Sequence, residues 1–210
     1  MVFDISINYN TDTKYQEIFA WCILVNIGFF NIPFSEDYLV GEPDLQVGNV
    51  GFEVTQAVFS KHNTVGDSML NKIGHLPANE KRFFLDKHDK KGLHKNYDVD
   101  DGAYTLESVP KKGQKESIIA AINKKVALFE SYKKFATMGL FINAESSMNK
   151  FSDVLTEFSE ANTKYDILVI KTTDLIYKFE NNAWTKHNAI ENCSSVIQQA
   201  RDLRSQLRHI

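Results

Sequence analysis

Cysteine is scarce in this chain of 210 residues: Cys22 and Cys193 stand far apart, each in a run with helical spacing. No Cys-x-x-Cys pair occurs, which excludes that redox motif and predicts two buried thiols rather than a bridge. Six histidines are present, but no two are spaced closely enough to resemble zinc ligands. No apolar run approaches the roughly 20 residues of a membrane span. The start, Met1-Val2-Phe3-Asp4, lacks the basic-then-apolar pattern of a signal peptide. A cytoplasmic protein with no membrane attachment is therefore expected. No Gly-x-Ser-x-Gly elbow and no phosphate-cradling glycine loop is found, which removes the usual support for a serine nucleophile or a nucleotide-binding loop. Internal repeats and low-complexity tracts are absent too.

Charge of one sign is also missing. Lys and Arg number 24 against 27 Asp and Glu, a formal net charge of −3. That balance excludes a surface coated in basic charge, but not local basic clusters. Lys81, Arg82, Lys87, Lys90, Lys91 and Lys95 fall in one segment, and seven lysines between Lys111 and Lys134 in another. Either run by itself reads as a solvated charged face.

Hydrophobic residues make up 43% and charged residues 24%, ordinary globular values, so residues 1–210 are expected to form one domain with a sizeable core. Thr11 or Asp12 can cap a helix in which Tyr15, Ile18, Phe19, Cys22 and Ile23 recur at helical spacing, predicting an amphipathic helix stopped by Gly28. Residues at about 60–110 form an irregular insertion, with short helices expected over Asp67–Gly74 and Asn79–His88. Loops are expected over His88–Gly92 and Tyr97–Gly102. Asp98-x-Asp100-Asp101 lacks the ordered ligand spacing of a calcium loop and reads as an acidic turn. Ile118, Ile122, Val126, Phe129 and Tyr132 give the clearest helix, over 114–135. Met138–Ile142 reads as an apolar strand, 150–161 as a helix and Ile167–Ile170 as another strand. This rhythm predicts an α/β sheet with a parallel crossover. A hairpin turning at Asn181-Asn182 and a helix over 190–208 close the chain.

The most informative stretch is Gly41 to Val58. Two short β-forming runs flank Gly48-Asn49, a pair suited to a two-residue hairpin turn. With that turn Val47 faces Val50, and the same count sets Asp44 opposite Glu53. Opposed residues on one face have Cβ atoms roughly 4.5–5.5 Å apart, and two like charges so close repel. A divalent cation between them is one remedy, because Mg²⁺ is commonly held by one or two carboxylates plus water and phosphate oxygens.

Pro43-Asp44 and Glu53-Val54-Thr55 resemble the PD and (D/E)xK elements of the PD-(D/E)xK nuclease superfamily, which has the restriction-endonuclease-like fold. The resemblance is specific at residues 43–55 and extends over about 12–145 as element order. It implies an α/β protein with a mixed central sheet flanked by helices, here with an added C-terminal strand and helix. It also implies a Mg²⁺-dependent nuclease acting on DNA, with Mn²⁺ as the alternative ion, in a setting such as restriction, phage defence or mobile elements. Asp44 and Glu53 would be the metal ligands. Glu17, on the first helix, would be an accessory ligand, although an exposed helix glutamate is the plainer account. Thr55 stands where the family has its lysine, and a hydroxyl can neither carry charge nor act as a base near neutral pH. By the family's precedent a lysine from the following helix takes that role, here Lys124 or Lys125, each of which also reads as ordinary helix surface. Thr55 would complete the motif strand by binding a water or a phosphate oxygen. Gln56 points to the opposite strand face and is a poor substitute. Many nucleases of this fold cut as dimers, so a homodimer is implied, with no interface identifiable in the sequence. The alternative is a catalytically silent relative that binds nucleic acid or a protein, as immunity and regulatory proteins do.

Overall fold

The computed structural model describes residues 12–39, 41–57, 94–97, 104–107, 114–144, 151–172, 175–188 and 190–207. Numbered in chain order, the strands are β1 (Leu45–Val47), β2 (Val50–Ala57), β3 (His94–Tyr97), β4 (Tyr104–Glu107), β5 (Thr137–Ala144), β6 (Ile167–Lys171), β7 (Leu175–Glu180) and β8 (Ala183–Asn188). The α-helices are α1 (Thr13–Asn26), α2 (Gln114–Leu128), α3 (Leu155–Ala161) and α4 (Ile190–Gln206). The chain divides into two compact units, one joining Met1–Ala57 to Ile118–Ile210 and the other Val58–Ser117.

The larger unit is a mixed α/β arrangement: a six-stranded sheet in the order β1-β2-β5-β6-β7-β8, flanked by helices. Gly48, at φ 59°, begins the turn that folds β1 back on β2, and Val47 pairs with Val50 as the turn count requires. β2, β5 and β6 run parallel, as strands joined through helical crossovers do. β7 and β8 then add antiparallel, turning at Asn181 and Asn182 with φ of 51° and 60°. Both residues being left-handed matches a tight hairpin turn whose twist suits the strands. These two strands are the edge hairpin that the turn at Asn181-Asn182 predicted, and with α4 they follow the core elements.

Each sheet face has its own core. Phe52, Phe141 and Val169 join α1 and α4 on one face; Leu140, Ile142, Leu168 and Ile170 join Ile118, Ile122 and Phe158 on the other. α1 is buried more completely than the amphipathic helix that its spacing predicted. Every residue from Ile18 to Leu24 is buried, because α1 is covered by the sheet and by α4. Asp12 caps it by accepting from the Tyr15 N–H at 3.0 Å, and Gly28 ends it at φ 74°. α2 stops at Leu128, and a 3-10 turn over Phe129–Ser131 delivers Tyr132 into the core, so the helix is shorter than the predicted 114–135. The predicted helix at 150–161 starts as a 3-10 turn, Phe151–Val154, before α3.

In the smaller unit β3 and β4 form a two-stranded antiparallel sheet, with His94 paired to Glu107 and Tyr97 to Tyr104. The sequence predicted a loop from Tyr97 and no element over 94–96 or 104–107, since four-residue strands are too short to establish a period. The expected helices Asp67–Gly74 and Asn79–His88, the loop His88–Gly92 and the acidic turn at Asp98–Asp101 lie outside the described residues. Cys22 is buried as a free thiol, and burial pushes its pKa up to about 12. The side chain of Cys193 lies outside the described residues. Among the described residues no helix is long and apolar enough to cross a membrane.

Candidate functional site

Glycine at position 51 lets the site assemble. A Cβ built there would lie 2.5 Å from Pro43 Cγ and 2.8 Å from Phe135 Cδ2, so only glycine admits both rings against β2. Pro43 is buried in that contact, which sets the backbone of the next residue, Asp44. Asp44 lies one residue outside the β1–β2 ladder, whose last pair is Leu45 with Phe52. The alignment with Glu53 predicted from the turn therefore holds as an extension of the register, not as a ladder pair. The Asp44 side chain takes over where the backbone leaves: its Oδ2 accepts the Val54 N–H at 2.7 Å.

Glu53 is on the α2 side of β2, paired in register with the buried Leu140. Lys125, in the last turn of α2, reaches across and forms an ion pair with Glu53 Oε2, with its Nζ also 3.7 Å from Asp44 Oδ2. Side-chain exposure is 2% for Glu53, 15% for Lys125 and 26% for Asp44, so the group opens towards solvent through Asp44. Lys124, the other candidate, is exposed one position away and takes no part. Helical geometry makes the choice, since adjacent residues on a helix point about 100° apart.

Tyr132, which the sequence reading treated only as part of an apolar stripe, belongs to the same group. Its ring centroid is 5.7 Å from Lys125 Nζ, and burial together with the Glu53 charge pushes its hydroxyl up to about 12, so it stays protonated. Tyr165 supports α2 from below, its hydroxyl donating to the Lys125 carbonyl at 3.2 Å while its ring meets Phe129 edge-on. No signal short of the folded chain marks either tyrosine.

Burial raises the Glu53 carboxyl above the ordinary glutamate range, and the Asp44 charge adds to it; hydrogen bonding from Lys125 and Tyr132 offsets only part. Burial disfavours the Lys125 ammonium, but the Glu53 hydrogen bond and the charges of Glu53 and Asp44 outweigh it, so its pKa lies above the usual lysine value. Glu53 Oε1 is buried and has no hydrogen-bond partner at ordinary geometry. That oxygen is a place for a cation or a donor to fill.

A cleft of ≈ 390 Å³ opens beside this group, lined by Thr13, Gln16, Glu17, Asp44, Val54, Thr55 and Gln56. Three consecutive strand residues line it, so it lies along the edge of β2 beyond the end of β1 rather than on one sheet face. Gln56, set aside because it faces away from Thr55, shares the cleft with it for that reason. Glu17 is a correction as well: its side chain is only 12% exposed, not a solvent-facing helix glutamate. It pairs with Lys14 at 2.9 Å, and burial raises its carboxyl above the usual range, opposed by Lys14 and helped by Asp44.

The residues suit a divalent cation in a limited way. Among the described residues no cluster of three or more His, Cys, Asp or Glu side chains stands ready to hold a metal. Asp44 and the unpartnered Glu53 oxygen supply two carboxylates, enough for an ion that completes its shell with water and substrate oxygens. Set beside protein families, curated proteins and solved structures, the chain finds no match in any of them.

Proposed function

We propose that this chain hydrolyses phosphodiester bonds in DNA with the help of Mg²⁺, or Mn²⁺ in its place, on a restriction-endonuclease-like core. The observation that carries the reading is the reach of Lys125 from α2 to Glu53 and Asp44. It answers the departure at Thr55, because the positive charge absent from the motif strand arrives from the following helix. The parallel pairing of β2 with β5, directly after α2, gives further support.

In this reading Asp44 and Glu53 would hold the ion, which supplies charge neutralisation at the phosphate and a more acidic water. Lys125, kept protonated by its carboxylate neighbours, presents an ammonium to a phosphate oxygen, where donors aimed at developing charge act most strongly. Thr55, at the cleft, offers its hydroxyl to a water or a second phosphate oxygen. Tyr132 holds Glu53 in place from the core side.

The catalytically silent reading has one observation in its favour: Lys125 already closes on Glu53, so the carboxylate has a counter-charge without any ion. Calorimetry with Mg²⁺ and Mn²⁺, with plasmid nicking assayed on the same samples, separates the two. The nuclease reading expects binding and nicking in the wild type, and loss of both in Asp44→Ala and Glu53→Ala. A wild type that binds no metal even with DNA present returns the chain to the silent binding module.

A further inference from the structure

We infer that Lys125 is the site's own counter-cation: its ammonium is held on Glu53 and Asp44 until these carboxylates bind a metal, and is then free to reach a phosphate of the substrate strand. Metal and DNA would thereby strengthen each other's binding. The inference rests on the nuclease reading and adds to it how the two ligands are coupled. Lys125 Nζ is ion-paired with Glu53 Oε2 and stands 3.7 Å from Asp44 Oδ2. One cation thus already faces both carboxylates, and an ion bridging them would have to share that position with a like charge. Yet the pairing is incomplete. Two carboxylates face one ammonium, and Glu53 Oε1 is buried without a hydrogen-bond partner in a residue 1% exposed. An ion pair kept only for stability gains nothing from a surplus charge and an idle oxygen.

The side chain can make this move while its helix stays in place. The Lys125 carbonyl accepts from the Tyr165 hydroxyl at 3.2 Å, and Tyr165 is buried with its ring against Phe129, so the backbone is fixed. The ammonium, by contrast, ends a flexible aliphatic stem whose donors rotate freely. Side-chain exposure rises from Glu53 through Lys125 to Asp44, so the tip has its way out past Asp44, on the side open to substrate. Asp44 does not follow it: its Oδ2 also accepts the Val54 N–H at 2.7 Å, which holds the carboxylate whichever cation is present. Reciprocity completes the argument. If carboxylates occupied by metal release the ammonium to phosphate, bound phosphate must raise metal affinity by the same factor.

The test is a double-mutant cycle on the whole chain, read first as DNA affinity in EDTA so that neither metal nor cleavage intervenes. A short fluorescein-labelled duplex is titrated at fixed ionic strength and followed by anisotropy. With Glu53 present the ammonium stays on the carboxylate, and Lys125→Met should change DNA affinity by less than about twofold. In the Glu53→Gln background the ammonium is released, and the same substitution should cost roughly tenfold or more, the effect of losing a charge-assisted hydrogen bond to phosphate. The second reading is Mg²⁺ binding by calorimetry without DNA, which should tighten by about fivefold or more in Lys125→Met. Lys124→Met makes the same change of charge one position away and should leave Mg²⁺ affinity as in the wild type. Should Lys125→Met not fold, Lys125→Gln replaces it, since its amide donates to Glu53 without carrying charge. Equal costs of removing Lys125 in the two backgrounds, or Mg²⁺ affinity that does not rise on its removal, would overturn the inference. Plasmid nicking by the wild type alongside either result leaves the nuclease reading standing and removes the coupling alone. A wild type that neither binds Mg²⁺ nor nicks removes both.

Discussion

Lys125 and Lys171 are both drawn into the protein, yet their surroundings could hardly differ more. Lys125 meets Glu53 and Asp44, and its charge is held by partners that the fold supplies. Lys171 lies over the ring of Phe19 and is paired in register with Asn143. The difference follows from position along parallel strands. Glu53 lies mid-strand, where a helix can bring a side chain across the sheet face, while Lys171 is the last residue of its strand, where the sheet opens. A lysine whose charge meets carboxylates is held at its tip, and one whose stem packs beneath an aromatic ring is held along its length.

The largest expected effect breaks the first half of this comparison. Glu53→Gln should abolish metal binding and nicking. Calorimetry and the plasmid assay would read both losses. Next comes Lys125→Met. Nicking should drop by about 10²–10³-fold, the usual effect of removing a charge aimed at the transition state. Calorimetry should nonetheless find Mg²⁺ binding at least as tight, since the competing cation has left Glu53. A parallel loss of metal affinity would mean that Lys125 organises the carboxylates rather than serving the phosphate.

Gly51→Ala sharpens the geometric side. The added methyl collides with Pro43 and Phe135, so a loss of about 1–3 kcal/mol is expected by thermal unfolding, together with weaker metal binding as Asp44 shifts. The pH profile should show smaller changes. Glu53 is raised above the ordinary value of 4.5, chiefly by burial and then by Asp44. Its contribution to stability is therefore complete below 4.5 and is lost as the pH rises through its folded value. Glu17, raised by burial, has the same sign. Over that acidic window metal affinity should climb while wild-type stability falls relative to Glu53→Gln, as paired titrations would measure. Lys125, raised above 10.5, acts at the other end: its stabilisation is intact below 10.5 and is lost as the pH rises through its folded value. The smallest effect is expected at Lys171→Met. The change should lie within about 1 kcal/mol of neutral or be stabilising, since no ion pair among the described residues is broken. A larger loss would mean that Lys171 has a partner within the fold.

Much of the larger unit was legible because its elements carry local signals. The turn at Gly48-Asn49 set the β1–β2 register, and fully apolar runs marked β5 and β6 as buried parallel strands. Asn181-Asn182 marked the last hairpin. α1 was misjudged because its spacing satisfies one face, while burial on several sides depends on α4 arriving from the far end of the chain. β3 and β4 were missed because each is only four residues long, too short for a period to stand out in a polar segment.

The site divides in the same way. Asp44 and Glu53 were readable from the turn count, which is local geometry. The choice between Lys124 and Lys125, the inclusion of Tyr132, the burial of Glu17 and the isolation of Lys171 were not. By itself the sequence determined which residues face each other across a two-residue turn, because backbone geometry links neighbours at fixed spacing. Only the tertiary structure decided which charges meet. Glu53 and Lys125 are 72 positions apart, and no local rule sets the rotation at which a helix presents one lysine rather than the next.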